Sequence, residues 1–241
     1  MKHKENKLIR INKFISNSGI CSRREADKLI LAGRVYLNNE KVKKLGIKLS
    51  KNDIVQVDGE IIKEEKKEYL LLNKPKDFIT TTKDPKKRKI VQDLIKGATN
   101  KRLYPVGRLD RNTTGLLLFT NDGELSKKLT HPSFKIKKVY QVEINKPLKA
   151  KDLNAITNGI YLEEEKIEVD NIAILDNTKK NIGIEIHMGK NRIVRRIFEY
   201  FKYNIKKLDR VMIGPLTKKN LKRGKWRFLN SLEVRLLKQI S

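Results

Sequence analysis

Asp110 stands in the run GRLDRNTTGLLLFTNDGEL, residues 107–125, as a lone carboxylate between Arg108 and Arg111 and just ahead of Leu116, Leu117, Leu118 and Phe119. A carboxylate in a turn that enters a buried strand is held rigidly and partly desolvated, and flanking guanidinium groups keep it ionised. An ionised, poorly hydrated carboxylate can act as a nucleophile. A salt-bridged surface turn is the plainer alternative, and spacing alone leaves both open. Gly107 and Gly115 permit tight backbone geometry on either side. The second constellation is GKNRIVRRIF, residues 189–198, in which Asn191 is placed to cap a helix and Arg192, Arg195 and Arg196 project from its first turns. Arg192 and Arg195 are three apart and share a face. Such a cluster grips phosphate or pairs with a buried acid.

The elements that must position these groups fall into two regions. IRINKFISNSG puts Ile11, Phe14 and Ile15 at helical spacing and stops at Gly19. SRREADKLILAG opens with Ser22 and has Glu25 three residues on, a capping box, and ends at Gly33. RVYLNNEKV reads as a hairpin through Asn38-Asn39, and DIVQVDGEII as another through Asp58-Gly59. Cys21, the only cysteine, reads as a small buried residue between the two helices, and a single cysteine excludes a disulfide framework within one chain. The mixed-charge stretch 61–68 reads as a linker. From Tyr69 onward, YLLLNKP, FITTT, GLLLFTN, KVYQVEI, KIEVDNIAIL and NIGIEIHM read as strands. DGELSKKLTH, capped by Asp122, KAKDLNAITNG and NRIVRRIFEYF read as helices, the last with Ile193, Val194, Ile197, Phe198 and Phe201 inside. The expected fold is α+β: a small domain at 1–60, then a larger one at 69–241 with a largely antiparallel mixed sheet.

Lys and Arg number 56 in the 241 residues against 28 Asp and Glu, a formal net charge of +28. A field of that sign draws polyanions. The first 57 residues alone hold 14 basic and 5 acidic side chains, net +9. Arg23 and Arg24 fall in the first turn of the second helix, where the dipole favours anions, so a phosphate bound there would satisfy amides and arginines together. A solvated basic face is the alternative. No apolar run approaches the roughly 20 residues that span a bilayer, the start lacks an apolar stretch of signal-peptide length, and His3, His131 and His187 are isolated. These features point to a cytoplasmic, nucleic-acid-directed chain with no metal of its own. GIEIHMGKN ends like a phosphate-binding loop, but five residues separate its glycines and Asn191 stands where Ser or Thr is required, which excludes that motif. Asn112-Thr113-Thr114 matches a glycosylation acceptor without a secretory context.

Residues 9–57 resemble the RNA-binding module first seen in ribosomal protein S-four, the alpha-L motif. VGRLDRNTTGLLLFTNDGELSKKLTHPS resembles the signature of the ribosomal small-subunit pseudouridine synthase A family, and more closely its large-subunit synthase B branch. LLLNKP at 70–75 matches that family's first motif, KVYQVEI its tyrosine strand, GKNRIVRRIF its arginine motif, and LDRVMIGPLTKKNLKRGKWRFLN its C-terminal strand pair. Ile193, His187 and Lys190 depart from the usual pattern at the rim of the arginine motif, which touches substrate choice more than the reaction. The resemblance implies that Asp110, Tyr140 and Arg195 are catalytic. Asp110 would initiate glycosidic cleavage of a flipped-out uridine, Tyr140 would stack on the base, and Arg195 would pair with Asp110. It implies RNA contacts from Arg108, Arg23, Arg24, Lys28, Arg34, Arg192 and Arg196, and no cofactor, since the reaction is an isomerisation. The expected partner is ribosomal RNA, large-subunit in preference to small-subunit, as free RNA or within a pre-ribosomal particle, with the protein a monomer. A non-catalytic rRNA-binding or assembly factor on the same fold is the alternative from another class.

Overall fold

The computed structural model describes residues 8–240, so His3 lies outside the described residues. The chain divides into two compact units. The first runs to Lys67 and takes in Thr99–Arg102; the second comprises Glu68–Ala98 and the chain from Leu103.

In the first unit, β1 (Ile9–Arg10) pairs antiparallel with β4 (Lys48–Leu49) and leads straight into α1 (Ile11–Asn17). Gly19 lies just past that helix at φ +85°, a left-handed conformation that costs glycine least. α2 (Arg23–Leu31) carries both halves of its capping box: Glu25 N donates to Ser22 Oγ at 3.3 Å, and Ser22 N donates to the Glu25 carboxylate at 2.8 Å. β2 (Val35–Leu37) and β3 (Glu40–Lys41) join through Asn38 and Asn39, both at positive φ, as the two-residue turn requires. β5 (Val55–Val57) and β6 (Glu60–Ile61) join in the same way through Asp58-Gly59. The four strands form a sheet in the order β3-β2-β5-β6. Ile11, Ile15, Ala26, Ile30, Val35 and Val55 form the core, with Cys21 only half-buried at its edge rather than enclosed. The stretch after β6 has no regular structure, and Glu65 N donates to Asn17 O at 3.0 Å.

The second unit is built on a nine-stranded sheet. Its strands in chain order are β7 (Tyr69–Lys74), β8 (Tyr104–Pro105), β9 (Thr114–Thr120) and β10 (Lys138–Ile144). After the separate hairpin β11 (Ile160–Leu162) and β12 (Glu165–Ile167) follow β13 (Asn171–Ile174), β14 (Asn181–Ile186), β15 (Ile205–Ile213), β16 (Leu216–Thr217) and β17 (Trp226–Phe228). The order is β13-β14-β10-β15-β9-β7-β17, with β16 on β15 and β8 on β9. Both faces are covered, so the central strands are apolar throughout rather than alternating. Leu70, Leu72, Leu117 and Phe119 face one core, under α4 (Ala150–Asn158) and α5 (Ile193–Tyr200). Tyr69, Leu71, Leu116 and Leu118 face the other, under α3 (Gly123–Thr130) and α6 (Ser231–Gln239). Asp122 caps α3 by accepting from Leu125 N at 3.2 Å. No helix among the described residues is long and apolar enough to cross a membrane.

β9 and β15 are the only parallel strand pair among the described residues, and they touch over two positions, Thr114 with Asp209 and Gly115 with Arg210. Gly115 sits at φ +104°, and a Cβ there would lie 2.2 Å from the carbonyl oxygen of Arg210. Only glycine lets the two central strands meet. Beyond that contact they diverge.

Further along the chain the structure departs from the sequence expectations. FITTT is not a strand: Ile79 makes one isolated bridge to Ile90, and Thr80 spends its side chain on Leu109. KIEVDNIAIL breaks into β12 and β13, which belong to different sheets. The β11–β12 hairpin turns on Glu163-Glu164, both at positive φ, a pair with no turn signature. Finally, α6 extends the structure past the strand pair where the sequence reading stopped; its Asn230–Glu233 capping box, N-S-L-E, was the signal for it.

Candidate active site

Asp110 sits in the loop between β8 and β9, and that loop is fixed from below. Thr80 Oγ1 donates to Leu109 O at 2.7 Å and accepts from Leu109 N at 3.1 Å. Asp77 N donates to Arg111 O at 3.0 Å, and Thr113 N donates to Asp110 O at 3.1 Å. Lys74, the last residue of β7, is wholly buried beneath them. Its ammonium donates to the carbonyl oxygens of Pro75, Asp110, Arg111 and Thr113 at 2.9–3.1 Å, three N–H groups shared over four acceptors. Burial pushes its pKa down to about 8, against the pull of the Asp110 and Asp77 carboxylates, so it remains mostly protonated at neutral pH. The sequence reading gave Lys74 no role beyond membership of LLLNKP.

The cations around the Asp110 carboxylate are not the ones beside it in sequence. Arg111 turns away to Asp77 at 3.1 Å, and Arg108 is exposed on the cavity wall. The neighbours of Asp110 Oδ2 come from α5: Arg195 Nε at 3.5 Å and Arg192 Nη1 at 3.7 Å. Arg195 is anchored by a bond from Nη2 to Thr113 Oγ1 at 3.3 Å, while its buried Nε makes no hydrogen bond. Asn191 does not cap α5. Arg192 itself occupies the cap in the left-handed region, φ +48°, with no side-chain cap bond. The turn it makes there directs its guanidinium to Asp110 and to Glu199, at 3.2 Å. Ile193, Val194, Ile197 and Phe198 pin the helix to the core; Phe201 is only partly buried. Arg196 departs from the cluster and pairs with Glu163 at 2.8 Å.

Asp110 and Arg195 open onto a cavity of about 430 Å³ whose wall also includes Tyr140, Ile186, Lys138 and Arg210. That volume is within the range of small-ligand sites. Tyr140 is nearly buried, on the apolar face of β10. Behind the cavity, Asp209 braces the β9–β15 contact by accepting from Thr114 Oγ1 and Arg223 Nη1, each at 2.8 Å, and from Lys218. Burial raises the Asp209 pKa, but these bonds outweigh it and hold the carboxylate below its ordinary range. Arg223 also donates to Asn73 Oδ1 at 2.7 Å, tying β7 into the same brace.

Within the first unit, Arg23, Arg24 and Lys28 are exposed on α2, and among the described residues Arg23 Nη2 donates to Asn12 Oδ1 at 3.4 Å. Arg34 is instead held bidentately by Asp58, at 2.6 and 2.5 Å, which raises the arginine's pKa and lowers the carboxylate's through the bond between them.

Comparison with known proteins agrees with this architecture. Residues 68–200 match the RNA pseudouridylate synthase family and residues 9–55 the S4 domain. An uncharacterized RNA pseudouridine synthase of Aquifex aeolicus is 44% identical over 94% of this chain and 92% of its own. The ribosomal large subunit pseudouridine synthase B of Bacillus subtilis is 38% identical over 96% of each chain. Among solved structures, a pseudouridylate synthase crystal structure superposes with a TM-score of 0.69 at 29% identity, covering 95% of this chain and 99% of that one. The chain therefore belongs to the RNA pseudouridylate synthase family, an S4 domain followed by a synthase domain, and is an isomerase of uridine in RNA.

Proposed function

We propose that the chain converts one uridine of large-subunit ribosomal RNA to pseudouridine, with Asp110 initiating glycosidic cleavage. The observation that carries this reading is the convergence of Asp110, Tyr140 and Arg195, from three distant parts of the chain, on one cavity. The similarity to the Bacillus large-subunit synthase along nearly the whole length supports the choice of RNA. The target base is unreachable while stacked, so the nucleotide flips into the cavity and Tyr140 stacks on it. Asp110 then either adds to C1′ or removes a proton from the sugar. Both routes need an ionised carboxylate aimed at the ribose, and the Lys74 cage with Arg195 supplies the aim. The N–H of Arg195 Nε, unspent at 3.5 Å from Asp110, tightens onto the carboxylate as substrate excludes water. Arg108 and Arg192 lie on the cavity wall and meet the flanking phosphates.

Residues 1–60 act as the RNA-binding module and 61–68 as its linker, with Arg23, Arg24 and Lys28 contacting phosphate. Arg34 and Arg196, each already paired, contribute less. The reaction exchanges no electrons and no group with a second molecule, so it needs no cofactor. A ribosomal substrate, bound free or in an assembling particle, puts the monomeric protein in the cytoplasm.

Pseudouridine mapping on unmodified large- and small-subunit rRNA, with wild type beside Asp110→Asn, tests the reading. One new pseudouridine in large-subunit RNA, lost by a factor on the order of 10⁴ or more in Asp110→Asn at unchanged RNA affinity, is expected. Product on small-subunit RNA alone reassigns the substrate. Binding without product on either RNA, or on precursor particles, leaves an assembly factor instead.

A further inference from the structure

We propose that Lys138 and Arg210 form a cationic floor to the cavity that grips a carbonyl oxygen of the flipped uracil and carries its negative charge once the C1′–N1 bond has broken. This rests on the uridine-isomerising reading of the same cavity.

Arg210 is 5% exposed and sits on β15 where β9 and β15 part. Its Nε donates to Leu116 O at 2.8 Å, bridging the gap between the two strands, yet its buried Nη2 makes no hydrogen bond. The neighbouring carboxylate, Asp209, is already taken by Thr114, Arg223 and Lys218. Lys138 lies two residues before Tyr140 on β10, so both side chains leave the same face of the sheet. Its ammonium donates to Ile136 O at 2.8 Å and His187 O at 3.0 Å, which leaves one of its three N–H groups. Burial, and then the positive charge of Arg210, depress its pKa to about 8, against a weaker pull from the Asp170 carboxylate. Among the described residues no carboxylate lies within salt-bridge distance of either cation. A buried arginine beside a partly buried lysine, each with an unspent donor, is an expensive arrangement unless an acceptor arrives between them.

That acceptor has a definable chemistry. Lysine and arginine offer only donors, so the partner group carries lone pairs and no N–H. Beside them the wall carries apolar side chains, including Leu109, Ile186, Val194 and Leu208, which suit the faces of a base rather than a phosphate. Uracil O4 fits; the amino group of cytosine at the same position does not. When the C1′–N1 bond breaks, its electron pair leaves with the base, and the charge spreads over N1, O2 and O4. A half-turn about the N3–C6 axis exchanges N1 with C5 and O4 with O2. The floor therefore meets a carbonyl oxygen both before and after the rotation. C5 then uses the electron pair to bond C1′ as the Asp110–C1′ bond breaks or the sugar proton is returned; C5 loses its proton and N1 gains one, and nothing is oxidised or reduced. Because charge on the oxygen grows only during cleavage, the two cations act on the rate rather than on binding.

The test is single-turnover kinetics at saturating RNA for wild type, Lys138→Met and Arg210→Gln, on RNA with uridine or 4-thiouridine at the target. Each variant is expected to be slower by about 100-fold or more with RNA Kd within about twofold of wild type. Sulfur accepts hydrogen bonds poorly, so 4-thiouridine is expected to slow wild type but to add little to the Lys138→Met defect. Wild-type rates in the folded variants, a loss confined to Kd, or equal slowing of both substrates by Lys138→Met would each overturn the assignment. If Arg210→Gln loses its thermal unfolding transition, Lys138→Met decides alone. Failure of wild type on every rRNA sinks the reaction reading and this inference with it. Product from wild type with unimpaired variants sinks only the inference.

Discussion

The two units hold positive charge in opposite ways. On α2 of the first unit, Arg23, Arg24 and Lys28 stand in solvent, where their charge is fully hydrated and screened within about 10 Å at ordinary salt. In the second unit, Lys74, Lys138, Arg195 and Arg210 are largely withdrawn from water and act on a few fixed atoms: loop carbonyls, strand-end carbonyls, or one carboxylate. Exposed cations can attract any polyanion and specify nothing. Buried ones are costly, and they persist where they fix a geometry. On the proposed function, the same residue types gather the substrate in one region and aim a carboxylate in the other.

The strongest way to break this contrast is at the strand contact that sets the buried cations in place. Gly115→Ala forces a Cβ into the Arg210 backbone at a φ that L-residues rarely adopt. The main chain of Arg210 cannot swing aside as a side chain would. We expect a loss of about 3–5 kcal/mol in the second unit, the scale of the most damaging single substitutions, read as a fall in the urea midpoint. If Gly115→Ala retains both wild-type stability and turnover, the β9–β15 contact does not organise the site.

Lys74 gives the next effect. Its folded-state pKa of about 8 lies below the ordinary 10.5, so between those values the unfolded chain binds more protons than the folded one. Stability should therefore rise with pH across that window, and Lys138, depressed to about 8 as well, should contribute equally. Denaturation midpoints at pH 7.5 and 9.5 are expected to climb for wild type. In Lys74→Met about half of that climb should remain. The variant should also start lower at pH 7.5, by roughly 1–3 kcal/mol, because loop carbonyls lose their donor. An undiminished climb in Lys74→Met would mean that the lysine is hydrated in solution and the cage is not closed.

How far the sequence foretold this differs between the regions for the same physical reason. The first unit is written in local signals: the Ser22–Glu25 capping box, Asn38-Asn39 and Asp58-Gly59 each specify their own few residues. The buried strands of the second unit also announce themselves, because LLL and GLLLF runs have nowhere to go but a covered sheet. The site itself is long-range. Asp110 finds its cations 82 and 85 residues away, on α5, while adjacent Arg111 goes to Asp77. Lys74, Lys138 and Arg210 looked like three more charges in a chain full of them, and only burial distinguishes them. Glu163-Glu164 makes a turn that no turn propensity favours, held in place by the pairing of β11 with β12. The resemblance to a family named Asp110, Tyr140 and Arg195; it said nothing of why the Asp110 loop stays still.

The smallest expected effect sharpens the comparison from the exposed side. Arg23→Gln and Arg24→Gln should each lower the slope of log K against log salt by about one for RNA binding, the signature of one lost phosphate contact. Thermal stability should stay within about 0.5 kcal/mol, since among the described residues neither side chain carries a structural bond stronger than the 3.4 Å contact of Arg23 with Asn12. Turnover at saturating RNA should not change. Arg34→Gln provides the internal control: its guanidinium is already chelated by Asp58, so its salt slope should shift less than that of Arg24→Gln. Salt titration of affinity beside single-turnover rates reads both quantities from the same variants. A fall in the saturated rate for Arg23→Gln or Arg24→Gln would erase the division of labour, because cations that only gather RNA act before the chemical step and cannot slow it.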